Sequence, residues 1–277
     1  MTESTVLSEP KEVKKEGVHL TPHFCPICGV DTIEAECMED AKTHDRSIWY
    51  KCTCGVIFQD HFPTSLEVYD EKYVALLAET KEAKDRYEYM VKLYAPIIEE
   101  ITYGRMMLEV GFCVPFTYQK MAERGWLTWG IDVNPALTGQ GNIYKGDFIK
   151  YDFSISGDSI KATTGEEKID RKFDLIWMGH VLEHFENPLA ALNKAYEVLD
   201  TKGVLFISTP DIDFISKTTV RGWPYLIGKE HYILWSERAL CRELERLGFK
   251  IILKHRNYSS RFVAHHDLHI IAQKNYF

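Results

Sequence analysis

The chain has 277 residues, 45% hydrophobic and 27% charged, enough to bury one full core and a small accessory unit. A formal net charge of −8 disfavours a broad electrostatic grip on nucleic acid and leaves open only a local basic patch. No apolar run approaches the ~18–20 residues that span a bilayer, and the opening stretch MTESTVLSEPKEVKKEG has no apolar signal core, so a cytoplasmic protein without a membrane partner is expected. That polar, charged opening reads as a disordered tail over residues 1–20.

The first patterned segment is a pair of cysteine knuckles, Cys25-Pro-Ile-Cys28-Gly and Cys52-Thr-Cys54-Gly, with 23 residues between them. Seven cysteines, an odd number without a secretion signal, argue for a reducing compartment over a disulfide framework. Four thiolates suit Zn²⁺ and close a tetrahedral structural site with no open position for chemistry. The alternative is a set of unpaired buried cysteines. One residue separates the second pair where two are usual, so Cys37 or His44 remains an alternative ligand.

From Glu79 to Ile101 the sequence is charged, with Tyr87, Met90, Val91, Leu93, Tyr94, Ile97 and Ile98 at helical spacing. This pattern predicts a long amphipathic helix whose aromatics pack into the core. Met107 to Pro135 then reads as strand, tight turn, helix, strand. Met106 to Val110 is an apolar run closed by Gly111; Phe116, Met121 and Ala122 are helically spaced; Leu127 to Ile131 is a second run ending on Asp132. Such a unit is a parallel crossover, with its ligand site outside the carboxyl ends of the strands. An acid closing the second strand is placed to accept hydrogen bonds from both hydroxyls of a ribose, and Glu109 and Gly111 sit where the loop passes under a ligand. A nucleoside-containing cofactor follows.

Residues 107–277 resemble the class I S-adenosylmethionine (SAM)-dependent methyltransferases over five segments. Glu109-Val110-Gly111 is similar to the family's first motif, and Gly130-Ile131-Asp132-Val133-Asn134-Pro135 to the second. Gly146-Asp147-Phe148 resembles the segment whose acid meets the adenine amino group. Phe173 to Trp177, running on into His180-Val181-Leu182-Glu183-His184, resembles the fourth strand and the start of its helix; Leu199 to Pro210 resembles the helix end, turn and fifth strand. The resemblance implies a three-layer α/β, Rossmann-like fold with a mostly parallel seven-stranded sheet. It implies SAM as cofactor, met by Glu109, Gly111, Asp132, Val133, Asp147, Phe148 and Met178.

The first motif departs from the family pattern, since Cys113 and Pro115 stand where its second and third glycines usually are. Glycine there reaches positive φ and lets the backbone approach a ligand, whereas proline fixes φ and removes a donor. Either the loop binds the cofactor along a shifted path or the domain is a non-catalytic scaffold. The retained acids Asp132 and Asp147 favour binding.

The run Tyr50 to Phe58, then Pro63-Thr-Ser, Tyr69 and Tyr73, resembles a subgroup in which a small zinc ribbon precedes the catalytic domain. Sugar C-methyltransferases have a comparable layout, and with this segment the resemblance covers residues 23–277. The expected organisation is tail 1–20, zinc ribbon and connector 21–75 with Cys25, Cys28, Cys52 and Cys54 as metal ligands, and methyltransferase domain 76–277.

His180, Glu183 and His184 fall at i, i+3 and i+4 and share a face if the helix has begun there; His231 joins them from far along the chain. Small-RNA 2′-O-methyltransferases are similar here, holding a divalent metal with an ExxEH pattern and a distant His; ubiquinone-pathway O-methyltransferases look similar at the same helix. In this chain His180 replaces the first Glu. A second divalent metal on His180, Glu183, His184 and His231 competes with a metal-free cluster that orders the loop, and the metal-free form is favoured. His184 and His231 are the expected bases for acceptor deprotonation, since imidazole titrates near working pH.

Ile212 to Lys229, with Arg221, Trp223, Pro224 and Tyr225, is predicted to cover the acceptor site. Ser236 is the predicted cap of a helix over Arg238 to Leu247 ended by Gly248, and Phe249 to Lys254 and His269 to Gln273 close the sheet as a hairpin. His265-His266-Asp267 is predicted as the turn between them, not a metal site. The expected activity is methyl transfer from SAM to a small polar acceptor, with a nucleotide-linked sugar as one candidate. The alternatives are a metal-assisted RNA methyltransferase, which net acidity counts against, and a scaffold that has lost turnover.

Overall fold

A computed structural model of the chain describes residues 23–32, 34–39, 46–59, 80–111, 114–133, 142–153, 172–215, 230–257 and 266–275. The predicted tail, His44 and most of the predicted covering segment lie outside these residues. Near the amino terminus β1 (His23–Phe24) pairs antiparallel with β2 (Asp31–Thr32) around the first knuckle. Strands β3 (Glu34–Glu39), β4 (Arg46–Cys52) and β5 (Val56–Gln59) follow as an antiparallel meander, with the second knuckle turning the chain from β4 into β5.

Helix α1 (Lys81–Ile101) buries Met90, Val91, Tyr94, Ala95 and Ile98, one stripe of the predicted amphipathic pattern. The strand-helix-strand unit comprises β6 (Met106–Val110), α2 (Phe116–Glu123) and β7 (Leu127–Asp132). Then come β8 (Ile143–Lys145), β9 (Phe173–Gly179), α3 (Pro188–Val198), β10 (Leu199–Pro210) and a single helical turn, α4 (Ile212–Ile215). The chain ends with β11 (Ile233–Trp235), α5 (Glu237–Arg246), β12 (Phe249–Asn257) and β13 (Asp267–Lys274).

Seven strands form the central sheet in the order β12-β13-β10-β9-β6-β7-β8. Those from β10 to β8 are parallel neighbours, and β13 is antiparallel to both β10 and β12. Strand alternation splits the side chains into two layers. Met107, Leu175, Trp177 and Phe206 pack with α1 and α2, while Leu108, Ile176, Met178 and Leu205 pack with α3 and α5. The chain winds outward from β6 through β7 to β8 and returns to β9 on the other side of β6, so the switch point lies between β6 and β9. In open parallel sheets that is where ligands bind.

Two local features differ from the sequence reading. His180, Glu183 and His184 are not on an α-helix: Leu182–His184 is a short 3₁₀ turn, and α3 begins only at Pro188. Asn187 precedes a proline, which disfavours helical backbone there, and its side chain caps α3 by accepting from the Ala190 amide at 3.0 Å. Asp267 is not in a turn but is the first residue of β13 and is buried. Ser236 caps α5 as predicted, accepting from the Ala239 amide at 3.1 Å.

The cysteine-bearing sheet is completed from the far end of the chain. β11 pairs antiparallel with β5, giving a four-stranded sheet in the order β11-β5-β4-β3. Ser236 N–H donates to the Gly55 carbonyl at 3.0 Å, and Arg242 on α5 donates to the Cys54 carbonyl at 3.0 Å.

Candidate active site

Strand β6 delivers Glu109 and Gly111 to the switch point. Gly111 has φ of 69°, donates to the Ile131 carbonyl at 2.9 Å, and a Cβ on it would lie 2.3 Å from Val181 Cγ2. Both backbone conformation and space therefore demand glycine. Residues 112 and 113 are outside the described residues, so the consequence of Cys113 is not visible, but that of Pro115 is. It sits at the entry to α2 with φ of −79°, close to the value its ring imposes, where no helical amide is needed.

Glu109 is buried, and burial, helped by the charge of Asp132, raises its pKa to about 8. Its Oε2 has no hydrogen-bond partner among the described residues. A buried carboxyl oxygen left unmatched beside a glycine-only turn fits a ligand with donors to offer. Asp132 ends β7, its carbonyl accepting the Gly146 amide at 2.9 Å, while Val133 beside it is 41% exposed. Asp147 heads the next turn, accepting from the Ile149 amide at 2.9 Å and pairing with Lys150 at 3.2 Å. Phe148 is buried against Phe153 and Phe185, and the Met178 side chain is buried in the core on the α3 side.

A second group lies just beyond β9. Donor atoms of Glu183, His184 and His231 all lie within 4.8 Å of one another. Glu183 is fully buried, accepts from Thr209 Oγ1 at 3.0 Å and has the His180 ring 3.2 Å away. Burial pushes its pKa up, but His180, His184 and His231 outweigh this and hold it at about 2. His184 Nδ1 lies 2.6 Å from the Glu230 carbonyl. A carbonyl can only accept, so the proton of neutral His184 sits on Nδ1 and Nε2 carries the lone pair. The His184 and His231 rings meet edge to face, centroids 4.7 Å apart.

His180 has φ of 53°, and its other nitrogen reaches Asp267 at 3.4 Å and Arg86 of α1, which itself pairs with Asp267 at 2.9 Å. Burial and Arg86 push the His180 pKa down, yet Asp267 and Glu183 outweigh them and raise it. For Asp267 the penalty of burial is overcome by Arg86 and His180, and its carboxyl is held well below the usual range. Arg86, His180, Asp267 and Glu183 thus form a largely buried polar cluster that ties α1 to the 3₁₀ turn. Arg86, Thr209 and Asp267 carried no sequence signal as site residues: Arg86 is one charge among many on an amphipathic helix, Thr209 ends an apolar strand, and Asp267 reads as part of a turn.

At the knuckles, donor atoms of Cys25, Cys28, Cys52 and Cys54 likewise lie within 4.8 Å of one another. Sulfur separations include 3.6 Å for Cys25–Cys54 and 3.5 Å for Cys28–Cys52. The amides of Ile27 and Cys54 point at Cys25 and Cys52 sulfurs, each at 3.4 Å, and Gly29 and Gly55 turn the chain with φ of 70° and 101°. This set can hold a tetrahedral ion. Cys37 lies on β3, paired with Ile48.

A mostly parallel seven-stranded sheet with one antiparallel strand inserted beside its edge, and a glycine turn and acids at the carboxyl ends of its strands, defines the Rossmann-like class I methyltransferase architecture. A family model described as a methyltransferase domain matches residues 85–254, more than half of the chain. The chain is 27% identical over 140 residues to the ubiquinone biosynthesis O-methyltransferase of Pasteurella multocida (strain Pm70), covering 47% of this chain and 54% of the relative. The corresponding figures for the same-named protein of Pseudomonas fluorescens (strain SBW25) are 24% over 106 residues, 38% and 44%. These matches span about half the length of the curated relatives. Among solved structures, magnesium protoporphyrin IX methyltransferase from Synechocystis PCC 6803 with bound SAH aligns with a TM-score of 0.48 at 15% identity, covering 70% of this chain and 84% of that one. The chain belongs to the methyltransferase domain family.

Proposed function

We propose that the protein transfers a methyl group from SAM to a hydroxyl of a small polar metabolite, a nucleotide-linked sugar being one candidate. The observation that carries this reading is the convergence of Glu183, His184 and His231 beside the carboxyl end of β9. SAM supplies an electrophilic methyl group; what the chain must supply is binding, alignment and removal of the acceptor proton. Asp132 would hold the ribose hydroxyls, Asp147 the adenine amino group, and the Gly111 turn would allow close approach of the cofactor. His184, with its proton on Nδ1, takes the acceptor proton on Nε2. Glu183, ionised throughout the working range, stabilises the imidazolium that results. The similarity to proteins named as O-methyltransferases supports an oxygen acceptor. Screening candidate metabolites for methyl transfer from labelled SAM tests the acceptor class; transfer only to RNA would overturn it.

The ribose assignment has its own test. Asp132→Ala should weaken SAM binding by about 1.5–3 kcal/mol, the scale of a hydrogen bond to a charged group, as read by titration calorimetry. A folded variant with unchanged affinity would remove Asp132 from the cofactor site. No binding heat in the wild-type protein would leave the scaffold reading standing.

A second reading has a specific observation behind it, because a carboxylate and two imidazoles within 4.8 Å also suit a divalent ion. Glu183, His184 and His231 would hold it, with His180 engaged on the far side of Glu183. Such an ion would lower the pKa of a bound acceptor oxygen. Base catalysis by histidine instead predicts turnover that a chelator leaves unchanged and an acid limb of the pH–rate profile that disappears in His184→Gln. We favour the base. Loss of activity to chelator, restored by Mg²⁺, Mn²⁺ or Co²⁺ with the cysteine-bound zinc still in place, would decide for the metal.

A further inference from the structure

We infer that Gln59, on the last strand of the cysteine-bearing sheet, is a positioning residue for the methyl-transfer site. The inference rests on the reading of His184 and His231 as the acceptor-side pair. Residues 230–232 form a short bridge on which that pair depends. The Glu230 carbonyl accepts from His184 Nδ1 at 2.6 Å. The Tyr232 amide donates to the Glu183 carbonyl at 2.8 Å. Gln59 holds the bridge from the side of β5: its N–H donates to the Tyr232 carbonyl at 3.0 Å, and its Nε2 donates to the His231 carbonyl.

Gln59 is 6% exposed and His231 5%, so water cannot readily replace these bonds. Beyond Gln59 the pairing of Phe58 with Ile233, Ile57 with Leu234 and Val56 with Trp235 fixes the register. A slip by one residue would turn each of these side chains, and the chain leading into them, to the opposite face. The turn before β5 lies close against the end of β11, since a Cβ on Gly55 would be 2.5 Å from Ser236 Oγ. Sheet pairing therefore sets the register of β11, and the Gln59 side chain sets the peptide that carries the His231 ring against His184. The amino-terminal sheet thereby becomes part of the active site, not a detached accessory.

The test uses the full chain with isotope-labelled histidine, in wild type, Gln59→Met and Gln59→Glu. Gln59→Met keeps the volume and removes the donor. In Gln59→Glu the buried carboxyl is expected to stay neutral and donate its O–H in place of the amide. Wild type and Gln59→Glu should show the nuclear Overhauser contact between the His184 and His231 rings, and Gln59→Met should lose it at least fivefold. SAM affinity should remain within twofold in all three, since the Gln59 bonds to His231 and Tyr232 lie on the acceptor side. A ring contact unchanged in Gln59→Met, or lost as fully in Gln59→Glu as in Gln59→Met, would overturn the inference. Absence of SAM binding in wild type would instead reject the functional reading without altering the ring-contact result.

Discussion

Asp267→Asn is expected to lower the unfolding free energy by about 3 kcal/mol, measured by urea titration of wild type and variant at the same bound-metal content. The substitution leaves Arg86 and His180 facing one another without the carboxylate between them. Breaking a buried ion pair by removing one partner costs about 3–5 kcal/mol, and the lower end applies because the Arg86 side chain is 20% exposed. The pH dependence carries the sharper signature. Glu183, at about 2 when folded, and Asp267, also depressed, contribute stability that is complete above the ordinary carboxylate range and is lost as pH falls through their folded values. His180 is raised when folded, so its contribution is complete below its ordinary value near 6.5 and is lost as pH rises through the folded one. The wild-type cluster is therefore strongest from about pH 4.5 to 6.5. In Asp267→Asn the His180 pKa drops, so the deficit relative to wild type should be greatest in that window and shrink above it. A deficit independent of pH would mean that His180 is not protonated in the native protein.

The parts of this fold that were legible in the sequence are those written in local periodicity. Met106–Val110, Phe116–Glu123 and Leu127–Asp132 stand where the apolar runs and the helical spacing between them put them. Gly111 was readable because a backbone at φ of 69° tolerates few other residues. The closing of the buried ion cluster was not readable, since Arg86 and Asp267 are 181 residues apart and each looks like ordinary surface charge in its own segment. The same holds for β11. Ile233-Leu234-Trp235 reads locally as the approach to the Ser236 cap, and only three-dimensional proximity reveals it as the edge strand of the sheet formed by β3, β4 and β5. The condition on a shared helical face at His180–His184 is not met for a local reason: the Asn187-Pro188 step delays the helix.

Removing the knuckle metal should have the largest effect of any perturbation. The purified protein is expected to carry about one zinc per chain, and Cys25→Ser or Cys52→Ser to lose it. Without an ion the four sulfurs are poorly served by their surroundings. Contact with Cys25 and burial push the Cys54 thiol well above its ordinary pKa, and burial raises Cys52. Binding must therefore expel protons, and zinc release by a chelator should accelerate steeply as pH falls. Structural zinc contributes on the order of 10 kcal/mol to small domains, so even half of that, at about 2–4 °C per kcal/mol for a chain of this size class, moves the melting temperature by roughly 10–20 °C. The loss should not stop at the knuckles. Cys52 and Cys54 flank the turn into β5, and β5 carries Gln59 and pairs with β11. Zinc loss should consequently raise amide exchange at Tyr232–Trp235 while leaving that of β6 and β7 nearly unchanged. A protein that is metal-free as isolated and melts identically after Cys52→Ser would show the four cysteines to be packing residues. An exchange increase confined to residues 23–59 would show that the sheet folds around its metal without steadying the active site.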